Sequence, residues 1–527
     1  MNRKTVLMIA LLLLAPIVVA AAINIRPAVA VETLKVGVLV PYNLVQGDAD
    51  KGGAEGGAIL AATDINAAGG INIGGTTYMI DLLIKDECAY PMKPSQAYLN
   101  TKDLLNAGCK FIIGGFRTEC TWEIMRAIAE HNAPLNPKDW VIYLINGAST
   151  DALCNETYCQ DYLNMPGVEF DWRFRINPIN STRLFYNVLG WLQGYLLPKK
   201  LIPMYGTVKF ACIAENYEWT EKICYYFEYK GLGPNTVYVG PHPCPRTPDG
   251  TTNFVPYLDQ FKAAGAHLVC HFYTLPDAQY LVTQWAAGKY PFLLVGIDVF
   301  AHSSAWPYTT GGACEYEMTE DFAGTRTPIT PLAVQFWDHF VGNFSKPGQP
   351  PAWPVYTAWG AYNAFLSIKA ALETAGSLDS TKIIEAFESQ ELWVLNGKAK
   401  FTSSHDVYTV SFGPTWPDKY TRAFFIQWVK KDGTFVKEVV CPVDQEFSRK
   451  AKFPPWIHPL GDWDLNFDGK VDIKDVAKVS RAFGSYPGLP EWDIECDINL
   501  DGKVDIKDVA AVSKKFGQFV SPWPPGS

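Results

Sequence analysis

The 527-residue chain is expected to fold as two doubly wound α/β lobes followed by a small all-α metal-binding module. Three observations predict this. Apolar runs of strand length alternate with helical segments through two successive rounds, as in parallel sheets with crossover helices. Two segments near the C-terminus repeat each other. A Pro-rich stretch, KFPPWIHPLGDW, stands between the rounds and the repeat and reads as a semi-rigid linker over 441–460.

In the first round LKVGVLVPY and TTYMIDLLIKDEC read as strands around GAILAATDINAAGG, a helix with a Gly stop. PSQAYLNTKDLLNAG (helix), CKFIIGGF (strand), CTWEIMRAIAEHN (helix) and DWVIYLINGA (strand) continue the alternation. The second round begins near Arg175, with strands VKFACIAEN, TVYVGPH, AHLVCHFYT and PFLLVGID separated by helices. Paired lobes of this kind bind ligands at the carboxyl ends of their strands, so a facing pair makes a cleft. Residues 325–401 turn more helical, and 407–440 read as a β-rich return with a hairpin at Lys430-Lys-Asp-Gly433.

The chain is 48% hydrophobic and 19% charged, with formal net charge −9, which fits a folded soluble protein. No basic stripe is present, so a nucleic-acid partner is not expected. The N-terminus has Arg3 and Lys4, a long apolar stretch and Ala28-Val29-Ala30, which reads as a signal peptide over 1–30. The length of the apolar stretch also leaves an uncleaved membrane anchor open. Export makes partial disulfide bonding of the 12 cysteines an expectation, with Cys154 and Cys159 close enough in sequence to close a loop. Asn155, Asn180 and Asn343 each begin a glycosylation tripeptide.

Asp464–Gly484 (DLNFDGKVDIKDVAKVSRAFG) and Asp497–Gly517 (DINLDGKVDIKDVAAVSKKFG) are offset by 33 residues and match at 16 of 21 positions. Each begins D-x-N-x-D-G, the start of an EF-hand-type calcium loop. The first loop offers Asp464, Asn466, Asp468, the Lys470 carbonyl, Asp472 and Asp475; the second offers Asp497, Asn499, Asp501, the Lys503 carbonyl, Asp505 and Asp508. Calcium takes six to eight hard oxygens, which these sets supply, so two ions are expected. Residues 461–517 carry 12 acids and 8 bases, and two calcium ions would bring the net −4 to zero. The pattern over 461–517 resembles type I dockerin modules, with Asp rather than Glu at position 12. The resemblance implies a cohesin-bearing partner and contact through residues late in the loop. Ile473-Lys474 and Ile506-Lys507 are identical pairs, so either repeat could dock. Residues 518–527 form a short tail.

Residues 33 to about 440 resemble the type 1 periplasmic binding proteins of the leucine/isoleucine/valine-binding group. LKVGVLVPY, GAILAATDINAAGGI, the DECAYPMKPSQA segment and CKFIIGG carry the likeness. VKFACIAENYEW, AHLVCHFYTLPDAQ and LLVGID extend it. The resemblance implies a hinge crossed three times, with lobe 1 at 33–175 and 325–405 and lobe 2 at 176–324 and 406–440, closing on a ligand. It also implies the ligand residues. Thr118 aligns with a hydroxyl that holds an α-carboxylate, and Arg117 precedes it where a cysteine is usual. Ala148, Ser149 and Thr150 follow the next strand and would serve the head group. Trp219 aligns with an aromatic that closes over the ligand. Tyr273 and Thr274 stand at the next strand end, and Asp298 aligns with the acid that pairs with the ligand ammonium. Tyr42 and Glu119 are weaker candidates. Cys120, three residues after Arg117, could pair with Cys88.

No G-x-S-x-G, HExxH or Walker loop is present, so the chain is not expected to be an enzyme. The expected function is capture of an amino acid or related small polar ligand for import by an ABC-type permease, outside the cytoplasm, with calcium-dependent docking to a cohesin. The competing readings are a surface sensing or adhesion protein on the same fold and, less favoured, a hydrolase, which would need two carboxylates across a cleft.

Overall fold

The computed structural model describes residues 31–42, 53–409, 411–521 and 523–524. The expected signal segment at 1–30 lies outside the described residues. Among those described, no helix is long and apolar enough to cross a membrane.

The first sheet contains β1 (Val31–Val40), β2 (Ile71–Ile73), β3 (Thr76–Asp86), β4 (Phe111–Gly114), β5 (Ile142–Ile145) and β6 (Arg173–Arg175), in the order β2-β3-β1-β4-β5-β6. Only β2–β3 is antiparallel. The inner strands are apolar on both faces because helices cover both: Val36, Val38, Ile112, Ile113, Leu144 and Ile145 are all buried.

The second sheet contains β7 (Val208–Glu215), β8 (Thr236–Tyr238), β9 (Arg246–Thr247), β10 (Leu268–Tyr273), β11 (Leu293–Asp298) and β12 (Met318–Asp321). The hairpin β13 (Leu392–Val394) and β14 (Gly397–Ala399) stands apart, and β15 (Phe424–Lys431) and β16 (Thr434–Cys441) complete the second sheet. Its order is β16-β15-β12-β11-β10-β7-β8, with β9 beside β7. The β15–β16 turn is the Asp432-Gly433 pair, both at positive φ (47° and 83°), which suits the twist of a tight hairpin.

The chain passes between the sheets three times. After β6 it builds β7 to β12. It then returns to supply the helix Tyr356–Ala375, which packs on Ala54–Ala67 within the first lobe, and crosses again to β15. Two of the crossings run side by side: Arg175 N–H donates to the His405 carbonyl (2.8 Å) and Val407 N–H to the Arg175 carbonyl (3.1 Å). The Arg175 guanidinium meets Asp406 at 3.3 Å, and Asn180 donates to the same carboxylate at 2.9 Å. This ties Asn180 into a buried joint rather than leaving it open for glycosylation.

Two sequence expectations need correction. The Pro-rich stretch is not a free linker. Ala451, Phe453 and Ile457 are buried in the second lobe, Trp456 Nε1 donates to the Tyr290 carbonyl (3.1 Å), and Lys452 exchanges two hydrogen bonds with Gln427 on β15. Its apolar side chains find a surface to cover, which its prolines alone do not disclose. The expected disulfides are also missing: all twelve cysteines are free thiols. Cys120 Sγ donates to the Cys88 carbonyl (3.6 Å), and Cys159 Sγ turns to the carbonyls of Ala152 and Leu153.

Candidate functional site: an interlobe cleft and a calcium-loop module

The cleft forms where strands from both sheets end. After β4 the chain turns through Gly114 and Gly115. A Cβ at Gly115 would lie 2.3 Å from the Tyr143 hydroxyl, so only glycine lets the loop pass. The loop delivers Phe116, Arg117 and Thr118 to the N-terminus of the helix Thr118–Asn132, where free backbone N–H groups favour an anion. Glu87 braces this loop from behind, its Oε1 accepting from Phe116 N–H (2.6 Å) and Arg117 N–H (2.8 Å). Burial pushes the Glu87 carboxyl up to about 7, against the lowering effect of these backbone bonds.

From the second lobe comes Glu215, the last residue of β7. Its Oε1 accepts from Arg117 Nη1 across the cleft at 3.0 Å, from Trp219 Nε1 at 2.8 Å and from the Thr274 hydroxyl. Its Oε2 accepts from Thr274 N–H at 2.8 Å. The Arg117 and Glu215 side chains are 2% and 1% exposed, so their pairing is almost wholly withdrawn from water. The guanidinium stacks 4.1 Å over the Tyr217 ring, while its Nε and Nη2 have no protein partner. Arg117 therefore holds two unspent donors in fork geometry, the arrangement that recognises a carboxylate.

The remaining cavity holds about 30 Å³, room for one or two waters. Of the sequence-predicted residues, Arg117, Thr118, Ser149, Trp219 and Thr274 line it. Tyr356 and His302 line it as well, and with Glu215 these escaped the sequence reading. The signal for Glu215 was an acid closing the strand VKFACIAE directly after five apolar residues, Phe210–Ala214.

Asp298 does not line it. Alternation along β11 turns Ile297 and Val299 to the cavity and Asp298 away from it. Asp298 Oδ1 instead accepts from Phe300 N–H (2.9 Å) and Ala301 N–H (3.4 Å). Tyr273 likewise faces away, its hydroxyl 3.0 Å from that of Thr247. Ala148 is buried with its N–H on the Gly115 carbonyl, and the Thr150 carbonyl accepts from Arg175. Glu119, one of the weaker candidates, bridges the lobes by accepting from Glu218 N–H (3.3 Å).

In the C-terminal module the two loops share one hydrogen-bond pattern. Asp464 accepts from Asp468 and Gly469 N–H, as Asp497 does from Asp501 and Gly502 N–H. Asp475 accepts from Leu465, Asn466 and Asp472 N–H, and Asp508 from Ile498, Asn499 and Asp505 N–H. Asp472–Asp475 and Asp505–Asp508 also form capping boxes on the helices Ile473–Arg481 and Ile506–Ser513. Asp464 and Asp475 in the first loop, and Asp497 and Asp508 in the second, are buried carboxylates facing each other, with His458 Nε2 3.3 Å from Asp464 Oδ2. Adding Asn466, Asp468, Asp472 and the Lys470 carbonyl, or Asn499, Asp501, Asp505 and the Lys503 carbonyl, gives an all-oxygen set that fits calcium.

The module is fastened to the second lobe. Lys200 Nζ meets Glu495 Oε2 at 2.8 Å, both side chains buried, and Tyr195 donates to the same carboxylate. Lys200 also sits 5.4 and 5.2 Å from the Phe453 and Phe467 ring centres. Phe467 and Ile494 belong to the lobe's own apolar cluster. Ile473 and Ile506 remain 66% and 65% exposed, so the equivalent faces of both repeats stay open.

The dockerin type I domain family matches residues 462–517. No curated protein matches the chain. Among solved structures, the chain is similar to the closed leucine-, isoleucine-, valine-, threonine- and alanine-binding protein from Brucella ovis, with 18% identity and TM-score 0.59 over 77% of this chain and 94% of that one. A branched-chain amino acid transporter substrate-binding protein from Streptococcus pneumoniae, in complex with isoleucine, gives 17% and 0.57 over 78% and 100%. A solute-binding protein from R. palustris in complex with benzoate gives 16% and 0.55 over 79% and 99%. The chain thus joins an α/β fold similar to that of the periplasmic binding proteins to a C-terminal dockerin type I domain.

Proposed function

We propose that the lobes capture a small carboxylate-bearing solute, an amino acid or related polar acid, by hinge closure outside the cytoplasm and hand it to an ABC-type permease. The observation that carries this is the Arg117–Glu215 pair, one residue from each lobe, with two Arg117 donors unspent. With about 30 Å³ free, the cleft as it stands has no space for an amino acid, so a ligand enters as the lobes part and the pair opens. Its carboxylate then takes the Arg117 fork and the Thr118 helix end, while an ammonium replaces Arg117 beside Glu215. Thr118, Ser149, Trp219 and Thr274 complete the contact surface. A thermal-shift panel of α-amino acids, amides and aromatic carboxylates tests this; a melting temperature unmoved by every member counts against it.

The dockerin type I domain is read as holding two calcium ions and docking the protein to a cohesin-bearing partner. Supporting this are the duplicated oxygen set and the exposure of Ile473 and Ile506. Pull-down by cohesins that persists in chelator would contradict it. A sensing or adhesion role would share this docking and differ only in lacking a permease.

A further inference from the structure

The second sheet carries a cluster that the cleft does not use. His271 stands on β10, Asp298 ends β11 and Glu317 directly precedes β12, so three neighbouring strands deliver one side chain each to one point. All three are fully buried, and one donor atom from each lies within 4.8 Å of the other two. His271 Nε2 is 3.0 Å from Glu317 Oε1.

Each carboxylate is anchored by one oxygen and presents the other. Asp298 Oδ1 is held by the Phe300 and Ala301 N–H groups, and Oδ2 has no partner. Glu317 Oε2 is held by Trp306 Nε1 at 2.9 Å, leaving Oε1 to face His271. Such outer bonds are what orient metal-ligating side chains. Among the described residues, no Lys or Arg forms an ion pair with either acid. Two buried carboxylates in contact need a cation or a shared proton between them.

We propose that His271, Asp298 and Glu317 bind one divalent transition-metal ion of the zinc class, held beneath the cleft wall. One imidazole nitrogen and two carboxylate oxygens suit such an ion, whereas calcium would need six to eight oxygens. Bonds of about 2.0–2.1 Å in a four-coordinate ion set neighbouring donors about 3.3 Å apart, close to the 3.0 Å between His271 and Glu317. Ile297 and Val299, on either side of Asp298, line the cleft, so the ion would fix the strand ends that shape it. Full burial means that loading accompanies folding and that the ion resists exchange afterwards.

The test is refolding of the full chain with excess calcium, to occupy the C-terminal loops, plus zinc or cobalt, followed by desalting and elemental analysis. One equivalent of zinc or cobalt per chain is expected to remain, and the cobalt form to show visible bands distinct from the hydrated ion. Glu317→Gln, which keeps shape and removes charge, should retain less than a tenth as much. Should that variant not fold, the stoichiometry and cobalt spectrum of the unaltered chain decide alone. No retained metal, with the spectrum of hydrated cobalt, overturns the proposal. So does equal retention by folded Glu317→Gln. A Glu317→Gln variant that melts no lower than the parent in zinc assigns the pair a shared proton instead.

Discussion

Replacing Glu215 by Gln tests the buried charge pair that spans the cleft. The substitution keeps shape and removes the charge that compensates a fully buried Arg117. Leaving one partner of such a pair uncompensated costs about 3–5 kcal/mol. The chain can avoid that cost by parting its lobes and wetting the guanidinium. At about 1.4 kcal/mol per tenfold, the closed-to-open ratio should fall by roughly two to three and a half orders of magnitude. Arg117→Met should do the same, because Glu215 then loses its guanidinium partner and keeps only Trp219 Nε1 and Thr274 as donors. The double variant removes both charges and should recover most of the closure, a coupling that a mutant cycle isolates. Small-angle scattering without ligand reads the outcome: each single variant should expand relative to the parent, and the double variant should contract again. Singles as compact as the parent would refute the reasoning that this pair holds the lobes together.

Calcium removal should be felt beyond the module, because Glu495, two residues before Asp497, is buried against Lys200 of the second lobe. Calorimetry should show chelation lowering a lobe transition as well as the module's, and Lys200→Met should uncouple the two; lobes indifferent to chelator contradict this. Gly469→Ala should weaken calcium binding more than Gly502→Ala. Both glycines have positive φ, but only at Gly469 would a Cβ meet a neighbour, the Trp523 ring at 2.5 Å. Equal calcium affinities for the two variants would contradict that. Glu87 predicts an inverted pH dependence. Its folded value, about 7, lies above its unfolded value near 4.5, so the folded state holds the extra proton between them. Its stabilising contribution is complete below pH 4.5 and is lost as pH rises towards 7, about 3 kcal/mol in all. Glu87→Gln should flatten the fall in denaturant midpoint between pH 5 and 8, and an unchanged slope would remove Glu87 from the account.

Much of the architecture was readable because its signals are local and repeated. The cores of strands such as CKFIIGG and LLVGID, Phe111–Ile113 and Leu293–Val295, are apolar on both faces, as helix-covered parallel strands must be, and Asp432-Gly433 marks its own hairpin. The calcium loops were readable residue by residue, since ligand spacing is a property of one short segment. The cleft was only half legible. Arg117 and Thr118 follow a glycine turn that advertises itself. Glu215 carries only the faint local mark of an acid at a strand end, and its role is defined by a partner 98 residues away. Asp298 was expected in the cleft because the resemblance aligns it with an acid that pairs with a ligand ammonium, but a strand's alternation lets only every second side chain face a given side. The segment after β16 misled for a different reason. Its prolines argue for a linker, yet Phe453 and Ile457 make it a cover, and only tertiary packing decides between the two.

Calorimetric titration of the parent and Arg117→Met chains with a panel of zwitterionic and aromatic carboxylates tests the central claim most directly. The account predicts one saturable site per parent chain for at least one carboxylate, with affinity reduced tenfold or more in Arg117→Met. A parent chain that binds none of them, or a variant that binds as tightly as the parent, would contradict it.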